Sequence, residues 1–488
     1  MSVLTVSAHA RRWWTLGVLS VASLMLTLDT TVINIALPRA QLALGFSAAN
    51  RQWLISAYTL AFGSLLLLGG RLSDLWGRRV SLYVGLIGFS IASALGGFAH
   101  SFAVLVSARA VQGVFAALLA PAALATLTTS FEGPRERARA FSYFGAVTGS
   151  GAVIGLLLGG ALTQWASWRW CLFINLVFAV IALVGVALFV HDGRSVHHAH
   201  LDVVGTLLGS SGLFLIVYAL SHAVTTSWSN TLTWGSLVAG AALLVSFTRW
   251  QQRSAHPLLP LRILLNRVRG GSLAALLITN FGVFGVSLFI VYYLQSVLEY
   301  SPMRTGVDFL PMVLALAFSA FLASARLLAR VGPRPLIPTG MLLAAMGVVL
   351  FTRLSPTTNY VSSVLPGLVL TGLGLGLIIA PAVASATLGV TSADAGAASA
   401  LVNTTSQIGG SLGAALLNTI AVSVTAHAVR AIGPQPTGYQ ASLAVLHGYV
   451  IAFWWIAGFF GFGALLSFGL LESGVPGLDL VVDVEPLV

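Results

Sequence analysis

The chain has 488 residues, of which 57% are hydrophobic, only 8% are charged and 51 are glycine. A water-soluble domain carries about 25% charged residues, so the composition excludes that class and points to a membrane protein. The net charge is +11, with 24 arginines, no lysine and 13 acids. The arginines fall in short loops between apolar runs rather than on one face of a domain, which argues against nucleic-acid binding and for loops held at a membrane surface. The single cysteine, Cys171, rules out an internal disulfide and reads as a small packing residue.

A membrane-spanning helix needs about 20 mostly apolar residues. In chain order, the runs 14–37, 52–70, 80–98, 102–127, 141–164, 170–190, 203–223, 232–249, 271–296, 305–328, 335–352, 363–388, 397–424 and 446–471 meet that need, giving fourteen predicted spans. The first run is too long for a secretory leader, carries Asp29 and is followed by many like it, so it reads as a span. The expected organisation is a cytoplasmic N-terminus (1–13), a six-helix bundle (14–190), two further spans (191–249), a basic amphipathic linker (250–270), a second six-helix bundle (271–471) and a cytoplasmic tail (472–488). With the N-terminus inside, 17 arginines lie in inner loops and 6 in outer loops, the asymmetry expected of cytoplasmic loops. Arg109 is left within the membrane. The segment "RWQQRSAHPLLPLRILLNRVRG" (249–270) mixes bases with Leu and Ile and reads as lying on the inner membrane face. The run "HHAH" (197–200) reads as a solvated loop, not a metal site.

The chain also echoes itself weakly. "APAALATLTTS" (120–130) and "APAVASATLGVTS" (380–392) each follow a glycine-rich run, and Pro121 and Pro381 are 260 residues apart. Two similar halves with an extra helix pair between them produce that offset, and internal repeats of this kind characterise secondary transporters.

Charge inside the apolar runs is where chemistry is expected. "MLTLDTTVINIALP" (25–38) places Asp29 in mid-span, at a cost of about 2.5–3.5 kcal/mol unless it faces a cavity or a partner. Arg109 is the one base within an apolar run. Asp29 lies eight residues, about 12 Å, from the outer end of its helix, and Arg109 seven residues, about 10 Å, from the same side. The two therefore sit at matching depth. Low polarity favours the neutral form of such a carboxyl while a guanidinium favours the charged form, so the group is poised to bind and release a proton. The opposing reading is a static ion pair that only fixes helix packing.

Four stretches carry a resemblance. "GRLSDLWGRRV" (70–80), with Gly70, Asp74, Gly77, Arg78 and Arg79, resembles the signature loop between the second and third helices of the major facilitator superfamily. "LDTTVINIALP", "LVSARAVQG" (105–113) and "GSGAVIGLLLGG" (149–160) resemble the first-, fourth- and fifth-helix motifs of its drug:proton antiporters. The helix number and "SWRWCLFINL" (167–176) are similar to the fourteen-spanner branch. The fifth-helix motif departs from the pattern: Leu156 follows Gly155 where proline is usual. Gly151, Gly155, Gly159 and Gly160 still offer a small face for close packing.

The resemblance implies an all-α integral membrane protein of the major facilitator fold, with two six-helix bundles plus two intervening helices. It implies export of a lipophilic drug or antibiotic across the bacterial plasma membrane by proton antiport and alternating access. Asp29 and Arg109 would be the coupling pair and Asp74 and its neighbours the conformational loop. Abundant Ala and Gly with arginine in place of lysine suit a GC-rich bacterial genome. The expected partners are a small lipophilic substrate, protons and lipid. No cofactor or metal is expected, the proton gradient being the drive, and the protein is expected to work as a monomer. Asp308, near the outer end of the tenth helix, is a second proton or substrate candidate. Asn34, Gln112, Asn280, Asn403 and Gln407 are intramembrane polar residues that either line a cavity or bond helices together. Tyr58, Phe284, Tyr292 and Tyr293 are candidates for an aromatic cavity wall.

The rival readings are a proton-coupled importer or narrow metabolite exporter on the same fold and, more distantly, a membrane-embedded receptor or enzyme. No HExxH occurs, and a chain without lysine cannot form a P-loop.

Overall fold

The computed structural model describes residues 8–131, 134–190, 202–225, 230–254, 257, 264–387, 395–432 and 437–471. Among these residues the secondary structure is helical, with no strand. The helices are α1 (Ala8–Leu44), α2 (Trp53–Trp76), α3 (Arg78–Gly97), α4 (Phe102–Ser130), α5 (Pro134–Trp165), α6 (Trp170–Phe189) and α7 (Val203–Thr225). They continue with α8 (Thr231–Arg253), α9 (Arg267–Tyr292), α10 (Pro302–Leu322), α11 (Pro333–Phe351), α12 (Leu365–Thr387), α13 (Ala395–Ile432) and α14 (Gly438–Leu470). Single π-helical turns extend α9 at its end (Tyr293–Val297), α10 at its end (Ala323–Leu327) and α12 at its start (Tyr360–Val364).

Each of the fourteen predicted spans coincides with one helix. Among the described residues, thirteen helices are long and apolar enough to cross a membrane. An all-helical build follows from the solvent: a lipid-exposed backbone must satisfy its own hydrogen bonds.

The helices outrun the apolar runs. α1 begins at Ala8 and passes through Pro38 to Leu44, so the helix runs beyond the end of the 14–37 run and Pro38 lies inside it. A proline removes one ladder hydrogen bond, and Leu37 before it and Ala40 beyond it are buried by neighbours that hold the helix together, whereas Leu42 is exposed. α8 runs to Arg253 and α9 starts at Arg267, where Asn266 caps it by accepting the Arg269 N–H at 3.1 Å. The ends of the expected basic linker are thus helical, and most of its middle lies outside the described residues. So do the "HHAH" run and the tail beyond Leu471.

The chain divides into two compact units. One comprises 1–215, 239–258 and 300–307; the other comprises 216–238, 259–299 and 308–488. α7 and α8, expected as a separate pair, are each shared between the units. Within the first unit, α2 and α3 pack on α4, and α1 packs on α5 and α6. Within the second, α11 packs on α12, and α9 packs on α13 and α14. The closest crossings repeat as well. A Cβ on Gly113 of α4 would overlap the carbonyl oxygen of Tyr58 on α2, and a Cβ on Gly372 of α12 would overlap that of Met312 on α10. Both partners lie further along the chain by nearly the interval between Pro121 and Pro381, which sit inside α4 and α12. The short reversals between helices match too: Gly77 (φ 89°) joins α2 to α3 and Gly332 (φ 74°) joins α10 to α11, each in a conformation that glycine alone adopts readily.

Candidate functional site

Two glycine crossings build the site in the first unit. Gly113 lets α4 approach α2 until backbone meets backbone. On the opposite side, Gly151, Gly155 and Gly159 of α5 face Leu24, Thr31 and Val32 of α1; a Cβ on Gly159 would lie 3.0 Å from Val32 Cα. α5 is one unbroken helix from Pro134 to Trp165, with Leu156 where proline would have interrupted it. The result is that α1, α2, α4 and α6 converge at one depth, which is where Asp29 and Arg109 meet.

Arg109 Nη1 donates to Asp29 Oδ2 at 2.5 Å, and both residues are 1% exposed. The guanidinium is held from three more directions. Its Nε donates to the Leu54 carbonyl at 3.1 Å, its Nη1 also donates to Gln112 Oε1 at 2.9 Å, and its face lies 4.4 Å from the centroid of the Tyr58 ring. Charge-assisted bonds and a cation–π contact of this kind are strongest away from water.

Asp29 Oδ1 receives two further donors. Gln112 Nε2 lies at 3.1 Å and Asn175 Nδ2 at 2.7 Å. Ser93 on α3 ties these amides together, accepting from Gln112 Nε2 at 2.6 Å and from Asn175 Nδ2 at 3.3 Å. Five elements thus supply one buried cluster: a carboxylate with three N–H donors, one cation, two amides and a hydroxyl. The arrangement can hold a negative charge in a membrane interior. No group of three or more His, Cys, Asp or Glu side chains able to hold a metal exists among the described residues.

Asn175 and Ser93 were not singled out from sequence as site residues. The signal for Asn175 was present in "SWRWCLFINL": it is the one amide in α6, a helix otherwise almost wholly apolar. Ser93 carries no such signal, since serine is common in membrane helices.

Tyr58, Tyr292 and Tyr293 are buried core residues, at 0%, 5% and 0% exposure, and Tyr293 donates its hydroxyl to the Ser355 carbonyl at 2.8 Å. Phe284 packs against Gly410. Gln112 belongs to the ionic cluster, whereas Asn280 donates to Leu276 O of its own helix at 2.9 Å. Asn34, Asn403 and Gln407 are half-buried. Asp308 lies in the second turn of α10, half-buried, and its backbone carbonyl accepts the Tyr360 hydroxyl at 2.6 Å. Asn280, Phe284, Tyr292, Asn403, Gln407 and Asp308 all belong to the second unit, and Asp29, Arg109, Gln112, Asn34 and Tyr58 to the first.

In the signature loop, Arg78 donates to Thr129 Oγ1 at the end of α4, 2.5 Å away, and Arg79 donates to the Ala187 carbonyl at the end of α6, 3.2 Å away. Both arginines thus lie at helix C-terminal ends, where cations are favoured, and Arg79 satisfies a carbonyl there. Gly70 faces Pro121 at ordinary contact distance, while the side chain of Asp74 lies outside the described residues. Gly160 abuts Pro302 and Met303. Near the N-terminal ends of α1 and α5, an open cavity of about 680 Å³ is lined by Trp13, Leu16, Ser20, Arg139, Tyr143 and Val147, among others.

A helical, multi-pass membrane protein with two repeated units and one intramembrane ion pair defines a class, and comparison with known proteins places it. Residues 19–414 match the family model of the Major Facilitator Superfamily, and the chain belongs to that family. It is a membrane transporter and not an enzyme. The chain is 47% identical over 471 residues to the Puromycin resistance protein pur8 of Streptomyces alboniger, covering 96% of this chain and 93% of that protein. It is 39% identical over 409 residues to the Cephamycin export protein CmcT of Amycolatopsis lactamdurans, covering 83% and 84%. Its fold is similar to that of a bacterial homologue of the human lysosomal transporter Spinster, crystallised in an inward-facing and unoccupied conformation. The TM-score there is 0.64 and the identity 17%, over 94% of this chain and 97% of that one.

Proposed function

We propose that this protein exports a lipophilic, antibiotic-like small molecule across the bacterial plasma membrane in exchange for protons, with Asp29 as the proton carrier and Arg109 as its electrostatic partner. The relatives' names, which speak of puromycin resistance and cephamycin export, support efflux. The observation that carries the proton role is the ion pair itself. A carboxylate and a guanidinium, both 1% exposed, sit within spanning helices where a charge is costly. A protonation that neutralises Asp29 weakens its hold on Arg109, and so couples proton occupancy to how α1 and α4 are held.

In this reading the N- and C-termini are cytoplasmic, as the excess of arginine in inner loops supports. Protons enter from the outer side, alternating access exposes the site to each face in turn, and release inside resets it. A membrane potential of about 100 mV supplies about 2.3 kcal/mol per proton, and one pH unit adds about 1.4 kcal/mol. Together these sustain a gradient of several hundred-fold for a neutral solute.

The test is efflux from cells expressing the chain, with puromycin and a panel of neutral and cationic amphiphiles. Accumulation is expected to fall for at least one compound, to recover with a protonophore, and to recover in Asp29→Asn at equal membrane abundance. Efflux that survives both the protonophore and the substitution would exclude proton antiport through Asp29.

A further inference from the structure

We propose that the Asn175 side-chain amide is a rotating positioning group that stabilises Asp29 in both of its protonation states. The proposal rests on the reading of Asp29 as the proton carrier. It addresses a question that reading leaves open: what accepts the hydrogen of a protonated Asp29 in a pocket furnished with donors?

In the structure every partner of Asp29 is an N–H group: Arg109 Nη1, Gln112 Nε2 and Asn175 Nδ2. These suit a carboxylate. A neutral carboxyl presents an O–H, which needs an acceptor, and a buried O–H without one is costly. Gln112 cannot supply it, because its Oε1 accepts from the Arg109 guanidinium, and turning the amide over would aim its NH2 at a cation. Asn175 can. Its Oδ1 is buried and has no hydrogen-bond partner among the described residues. Rotation about Cβ–Cγ exchanges Oδ1 with Nδ2 and puts the carbonyl 2.7 Å from Asp29 Oδ1, where the amide nitrogen now stands. The same rotation places it 3.3 Å from Ser93 Oγ, whose oxygen already accepts from Gln112 and whose own hydrogen is thus free to turn toward Asn175.

The step is a proton transfer followed by a torsion. A proton from the outer water forms an O–H bond on Asp29 Oδ1, the amide turns, and Asp29 donates to Asn175 Oδ1. One O–H bond of the donating hydronium breaks as that of Asp29 forms, a water molecule is left outside, and no other covalent bond changes. The turn leaves the NH2 in the position that the carbonyl occupied, without a partner there, so the neutral form is the less satisfied of the two and gives its proton up again when the pocket opens. Among the described residues, the titratable or charged groups shown to interact with Asp29 are Arg109 on α4, Tyr58 on α2 and Cys171 on α6. α3 contributes only the Ser93 hydroxyl and α5 the uncharged glycine face.

The experiment is infrared difference spectroscopy of the full-length protein in liposomes, acidic minus alkaline, with isotope-labelled asparagine to mark the amide carbonyl. The expected result is a protonated-carboxyl band, absent in Asp29→Asn, that titrates together with a downshift of one asparagine carbonyl as it gains a hydrogen bond. Asn175→Leu, of similar volume, should lose the amide shift and the substrate-driven proton flux. Asn175→Ser, whose hydroxyl both donates and accepts, should keep the flux. A carboxyl band that titrates with no amide shift overturns the rotating amide and leaves the carrier reading standing, as does wild-type pH dependence of flux in Asn175→Leu. No carboxyl band at any pH overturns both. The amide shift is read in the unsubstituted protein, so the test survives a variant that fails to fold.

Discussion

Arg109 and Asp29 each make the other tolerable. Removing one partner of a buried pair strands the other charge, at a cost of about 3–5 kcal/mol, whereas removing both together is often nearly neutral. Arg109→Leu is therefore expected to lower the thermal unfolding midpoint of the solubilised protein markedly, and the double variant Asp29→Asn/Arg109→Leu to recover most of the loss. Neither is expected to transport. A double variant that transports at the wild-type rate would mean that the pair serves packing alone. These two residues were legible in sequence because a charge in an apolar run is expensive enough to demand a reason. Asn175 and Ser93 were not read as site residues, because amides and hydroxyls in spanning helices mostly bond helix to helix at little cost. Their arrangement around one carboxylate is a product of tertiary packing. Tyr58 was legible as an aromatic ring within a span, but its place under a guanidinium in the core was not.

Helix crossings set the precision of the site. α2 and α4 meet at Gly113, and α1 and α5 at Gly155, where a Cβ would overlap Tyr58 O and Thr31 Oγ1 respectively. Overpacking a protein interior costs about 1–3 kcal/mol, and Gly113 faces rigid backbone, so Gly113→Val is expected at or above the upper end. Lower folded yield and a lower unfolding midpoint should report it. Gly145→Ala, with nothing within 4 Å, is the neutral control. Equal stability of the two variants would contradict the close approach. The existence of all fourteen helices was legible from apolar run length. Their ends were less so, because Pro38 sits inside α1 and α13 runs on to Ile432: neighbours in the fold support turns that composition alone would stop. The α5 motif kept its packing glycines while losing its proline, and its helix is correspondingly continuous.

At the scale of the molecule, the faint echo around Pro121 and Pro381 proves to be a repeat of helix packing. Its chemistry is not repeated. Taking Gly113 and Gly372 as equivalents, the position of Arg109 falls to buried Leu368, and α9 contains no acid. The ion pair is a property of the first unit alone. The proposed orientation rests on the arginine asymmetry, and Cys171 is buried, so introduced thiols can test it against a quiet background. Ser47→Cys, between α1 and α2, should react with an impermeant maleimide applied to intact cells, and Ser254→Cys, at the end of α8, only after permeabilisation. The opposite pattern would invert the topology.

The measurement that tests the central claim most directly is proton movement in liposomes containing the purified protein and a trapped pH dye, with a pH gradient imposed and candidate substrates added, Asp29→Asn run in parallel. Compound-dependent proton flux in the wild type that disappears in a folded Asp29→Asn is the predicted result. Flux of equal size in both would contradict it and move the proton site elsewhere, with Asp308 the next carboxylate to replace.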